Sequence, residues 1–195
     1  MDPLLLGTAS AFGLAAASGL NASLPLLIVG LLARFGLFAL SAPFDALSSD
    51  IALGGLALLA VGEIAADKIP GADTVVQFLQ TPLTLGAGAI LFASQNSMIE
   101  NVSPGLAILV GLLTAGGVHT LRALARPVIN VATVGIGGPV ASIVEDISAV
   151  ALTILALAAP VVAVVALVVI ALLAGQFVAK RLGQRRPALA RVGAD

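Results

Sequence analysis

The chain has 195 residues, 59% of them apolar and 10% charged, with a formal net charge of −1 and a mean hydropathy of +1.15. A soluble domain carries roughly a quarter charged residues, and one core of this length cannot bury so much apolar surface, so the composition predicts an integral membrane protein solvated largely by lipid. The charge balance argues against a nucleic-acid partner, and the lack of cysteine removes disulfides, thiolate chemistry and Cys-based metal sites.

Met1-Asp2-Pro3 lacks the basic start of a cleaved signal, which predicts a retained first helix. Apolar stretches that cross, or nearly cross, about 30 Å of hydrocarbon lie at approximately 4–18, 22–40, 50–67, 82–98, 104–125, 137–156 and 159–179. The expected fold is an all-α polytopic transmembrane helix bundle of about seven spans, with a transmembrane domain over 1–180 and a basic tail over 181–195. An odd count puts the termini on opposite sides. The cluster Lys180, Arg181, Arg185, Arg186 and Arg191 places the C-terminus in the cytoplasm and the N-terminus outside. Lys68, Arg122 and Arg126 then fall at cytoplasmic helix ends, and Asp45, Asp50 and Glu100 fall outside. Arg34 sits near the outer end of the second span, where it either snorkels to the interface or marks 4–40 as a re-entrant pair. With no Trp and no Tyr, the usual aromatic belt is missing and span ends are set only to within several residues.

Small residues crowd the first, fourth and fifth spans, at Gly13 to Gly19, Gly86 to Ala89 and Gly111 to Gly117. In lipid, close backbone approach through such faces supplies packing energy. Between spans three and four, Pro70-Gly71 stops a helix and Asp73 starts another, which predicts a short interfacial helix ahead of Pro82. Between spans five and six, 127–139 is apolar but too short to cross. It reads either as broken backbone lining a cavity or as a loop in the interface.

Ionisable groups inside spans are costly and suggest function by default. Glu63 and Asp67 share a helix face at i, i+4. They read as an ion or proton site, or as a helix-end salt bridge of Asp67 with Lys68 and a pairing of Glu63 with an arginine. Glu145 and Asp146 project about 100° apart on a helix and cannot both face one partner. Glu145, deepest by residue count, is the first choice for function. His119, Arg122 and Arg126 form a cationic stripe at i, i+3, i+7 that either neutralises these carboxylates or attracts an anionic substrate or lipid headgroup. Asn21 and Asn130, at the two predicted helix breaks near Ser18-Gly19 and Gly135 to Gly138, complete the pathway candidates.

The runs Ser18-Gly19-Leu20-Asn21-Ala22-Ser23-Leu24-Pro25, Ala66-Asp67-Lys68-Ile69-Pro70-Gly71 and Ser142-Ile143-Val144-Glu145-Asp146 resemble those of an uncharacterised bacterial integral-membrane family, a domain of unknown function, over roughly residues 8–180. That resemblance implies a bacterial inner-membrane location and no settled activity, and it implies a basic residue where this chain has Asn21. The layout of seven spans also looks like that of trimeric intracellular cation channels, with two inverted three-helix repeats plus one helix.

No metal site, cofactor motif or enzyme signature is present, since one His and no Cys leave no zinc set and no Gly-rich loop carries a phosphate-binding Lys. The expected function is a small channel or transporter for an ion or small solute, assembled as a homo-oligomer in membrane lipid. The alternative is a non-transporting scaffold or lipid-binding protein whose buried charges are internal struts.

Overall fold

The computed structural model describes residues 2–66, 73–95, 102–133 and 137–170 together with 172 and 176; the side chains of 73–79, 130 and 132 lie outside the description. Helix α1 (Pro3–Leu20) starts at Asp2, whose Oδ1 accepts from Leu4 N at 3.1 Å, with Pro3 at the first helical position. Helix α2 (Ser23–Arg34) follows after a two-residue break, and a short 3-10 helix (Phe44–Ser48) leads into α3 (Asp50–Ala66). Helices α4 (Asp73–Ala93), α5 (Pro104–Ala132), α6 (Gly137–Ala158) and α7 (Pro160–Ile170) complete an all-helical bundle.

At the centre is α1, the most buried helix, with Leu14, Ala15, Ala17 and Ser18 fully enclosed. It packs against α4, α5 and α6, while α2 pairs mainly with α3 and the 3-10 helix. The small-residue faces allow this crowding. A Cβ on Gly19 would lie 2.6 Å from Val118 Cβ and 2.7 Å from the Ala115 carbonyl oxygen. A Cβ on Gly111 would run into the Gly88 carbonyl oxygen and lie 2.6 Å from Phe92 Cβ. Because the α4–α5 crossing meets backbone at Gly111, no side-chain rearrangement relieves a substitution there. Gly111→Val is therefore expected to destabilise by about 1–3 kcal/mol or more, seen as a lowered unfolding temperature in detergent, whereas Gly117→Val, with open space around it, leaves that temperature unchanged.

Three helices are long and apolar enough to cross a membrane, Pro3–Leu20, Pro104–Ile129 and Gly137–Ala158, while Ser23–Arg34, Gln80–Ala93 and Pro160–Ile170 are shorter apolar helices. The stretch predicted as a second span over 22–40 is the largest departure. Its helix has 12 residues, which reach about 18 Å. It stops because Gly36 adopts a positive φ of 70°, and Leu37 N bonds Leu32 O while Gly36 N bonds Ala33 O, the closed C-terminal pattern that glycine favours. Arg34 then meets Asp50 at 2.7 Å in an exposed pair that contributes about 0–1 kcal/mol. This end of α2 is polar and open, while its other end is buried.

Two expected breaks are absent. Rather than a separate interfacial helix, α4 runs unbroken from Asp73 through Pro82 to Ala93. Likewise α5 continues through Pro127 to Ala132, so 127–132 is neither broken backbone nor loop. A proline removes one helix donor without forcing termination when neighbouring helices hold the chain. At the end of α5, Thr133 Oγ1 donates to Ile129 O at 2.7 Å and accepts from the N–H of Gly137, the first residue of α6, at 2.8 Å. Gly137 and Gly138, expected at a break, are the first residues of α6, and Ser18 and Gly19 lie within α1.

The α6–α7 junction is sharp. A Cβ on Gly13 would stand 2.6 Å from Ala156 Cβ and 3.5 Å from Ala163 Cβ, although residues seven apart in a straight helix are separated by about 10.5 Å. The chain thus bends sharply at Ala159-Pro160. The packing gives no support to inverted repeats: α1 lies along α5 and α6, while their formal counterparts, α4 with α2 and α4 with α3, share little or no interface among the described residues.

Candidate functional site

Where α1 ends, Asn21 leaves the helix at φ −148°, ψ 129°, the extended conformation of a helix N-cap. Its Oδ1 accepts from Ser23 N at 3.1 Å and Leu24 N at 3.0 Å, which satisfies two orphan donors of α2; Pro25, next in line, has no N–H to satisfy. Asn21, Ala22 and Ser23 are all buried, so a helix start with its partial positive charge lies inside the protein. Glu63, on α3 and 6% exposed, faces it. Glu63 Oε2 accepts from Ser23 N at 3.1 Å and also from Ser23 Oγ. Asn21 Oδ1, 3.2 Å from Ser23 Oγ, is a second acceptor for the same hydroxyl.

From the other side of Asn21, Nδ2 donates to Asp146 Oδ1 at 2.9 Å. One amide therefore ties α1, α2 and α6 together, and Ser23 extends the network to α3. Asp146 lies nine residues into α6, which is about 13 Å from that helix's start. The α1–α2 turn therefore lies beside the middle of α6 rather than at its end. Replacing Asn21 by Ala removes the cap and the Asp146 bond together. It is expected to cost about 0.5–2 kcal/mol for the cap alone, measured by thermal unfolding, with α2 fraying first in hydrogen exchange.

Glu145 points the other way round α6, as neighbouring helical residues must. Its Oε2 accepts from Arg122 Nε and from Arg126 Nη2, both at 2.7 Å. The arginine side chains are 5% exposed and that of Glu145 is 15% exposed. Such charge-assisted bonds are short and strong, and Glu145 is the member that both arginines share. His119, one turn before Arg122, bonds through Nε2 to Thr81 Oγ1 on α4 at 3.0 Å rather than to a carboxylate, and its buried Nδ1 finds no hydrogen-bond partner among the described residues. No group of three or more His, Asp or Glu that could hold a metal ion occurs among the described residues.

Residues 8–180 match the family described as Domain of unknown function (DUF4126). The chain belongs to that family. No curated protein and no solved structure matches it. The DUF4126 match spans every residue of the network, from Asn21 to Asp146.

Of the residues singled out in this DUF4126 sequence, Asn21, Glu63 and Asp146 meet in one hydrogen-bonded group, and Arg122, Arg126 and Glu145 meet in another. Asp67 and Lys68 lie outside the described residues, as does the side chain of Asn130. Glu63 is the more enclosed of the two carboxylates, because burial depends on which helix face meets the bundle rather than on position along a span. Ser23 and Thr81 were missed. The spacing Asn21-x-Ser23-x-Pro25 is a helix-start signature that could have revealed Ser23; a lone Thr such as Thr81 carries no comparable signal.

Proposed function

We propose that this protein is a small membrane channel or transporter for an ion or small solute, with its pathway passing the buried α1–α2 turn. The observation that carries the reading is the α2 N-terminus, enclosed at Asn21-Ser23 and facing Glu63. Helices that end within the apolar layer are where transporters place their sites, because irregular backbone there is tolerated only beside protein or a cavity. A carboxylate held on a helix start can exchange its hydrogen bonds for a passing cation or proton, which alters the capping of α2 and so couples occupancy to helix position.

The proposal includes a multi-pass location in the bacterial inner membrane, surrounding lipid, a homo-oligomeric assembly and no catalytic chemistry. Met1 stands outside and Asp195 in the cytoplasm. Counting α1–α2 as a re-entrant pair removes two crossings and leaves the number odd, so reporters fused to the two termini should still respond on opposite sides. Flux from proteoliposomes under an ion or solute gradient is the deciding measurement. Purified protein that moves nothing above empty vesicles returns the scaffold reading, which the Arg122–Glu145–Arg126 triad favours because its members bond one another.

A further inference from the structure

We infer that Arg122 and Arg126 form an oxyanion-binding clamp whose resting occupant is the protein's own Glu145 carboxylate. The two arginines sit at i, i+4 on one face of α5 and converge on a single point, since Nε of one and Nη2 of the other both bond Glu145 Oε2 at 2.7 Å. Two guanidinium planes aimed at one oxygen are the arrangement proteins use for carboxylate and phosphate, which arginine recognises through its planar fork.

Three features make the occupant replaceable. The clamp side chains are 5% exposed while that of the occupant is 15% exposed, so Glu145 is the most accessible member of the triad. The interface between α5 and α6 is small compared with the packing of each on α1, so this ion pair bridges the two helices where few other contacts do. Asp146 anchors α6 separately, through Asn21, which lets its neighbour Glu145 swing away without undocking the helix. The ligand class is an oxyanion, either a soluble phosphate or carboxylate or the phosphate of a lipid headgroup. The inference rests on the transport reading for its purpose, but not for the binding itself.

The test is titration of the full chain, purified in a neutral detergent, with inorganic phosphate, followed by calorimetry and by thermal shift. Wild type should bind weakly, because Glu145 competes. Glu145→Asp, which keeps the charge but withdraws the carboxylate by one methylene, should bind about tenfold tighter, and Arg126→Lys, which loses the fork, should bind more weakly than wild type. Repeating the titration in nanodiscs separates the sources: anionic phosphatidylglycerol that suppresses phosphate binding assigns the clamp to headgroups, and binding unchanged from neutral phosphatidylcholine assigns it to a soluble oxyanion. Equal affinity in wild type and Glu145→Asp, or no binding by either, overturns the inference. Phosphate binding without flux of any solute leaves the clamp standing and removes the transport reading.

Discussion

Glu145→Leu is expected to cost about 3–5 kcal/mol of stability, the usual penalty for removing one partner of a buried ion pair. Both arginines lose their bond to Glu145 Oε2 at once, from side chains only 5% exposed. Arg122→Leu alone is milder, because Arg126 still holds the carboxylate. The triple change of Arg122, Arg126 and Glu145 to Leu should recover much of the loss, since apolar replacements of a buried triad are often close to neutral. Thermal and denaturant unfolding in micelles measure wild type, the three single Leu variants (Arg126→Leu included) and the triple variant. If the effects of the single changes simply add in the triple variant, the three residues do not act as a unit and the triad is only a coincidence of proximity.

Helix positions were largely legible from hydropathy because apolar runs in this chain are separated by real punctuation. Asp50 opens α3, Ser103 caps α5 by accepting from Leu106 N at 3.3 Å, and the small residues of α1 mark the helix that everything else surrounds. Two of the errors came from treating a proline as a stop. Pro82 and Pro127 sit inside α4 and α5, where tertiary neighbours outweigh the loss of one backbone bond. By contrast, the break that matters, at Asn21-Ala22, contains neither Gly nor Pro and follows a helix with ample small residues. Its signal was the capping pair Asn21 and Ser23, which competes for backbone donors only once the chain has turned. The site was legible as a list of charges but not as a geometry. Which carboxylate meets which cation depends on helix rotation and crossing, and α3 shows the limit: its apolar residues surround the axis so evenly that Glu63 alone indicates the face turned inward.

Glu63→Gln separates the structural and conducting roles of the enclosed carboxylate. Gln keeps an oxygen that accepts from Ser23 N and Ser23 Oγ, so the α2 start stays capped by Asn21 and the protein should remain folded, losing about 1–2 kcal/mol as a charge-assisted bond becomes a neutral one. Glu63→Leu removes the acceptor as well, leaves the Ser23 hydroxyl buried without it, and should cost about 1–3 kcal/mol more. Flux should not follow this order. Because Gln cannot ionise or exchange a proton, Glu63→Gln should abolish cation or proton movement almost as completely as Glu63→Leu, despite the smaller structural loss. Proteoliposome flux measured beside unfolding temperature for both variants makes the comparison. Wild-type flux in Glu63→Gln shows that Glu63 is a strut for α2, whereas loss of flux in a folded, correctly inserted Glu63→Gln protein is what a carboxylate in the pathway requires.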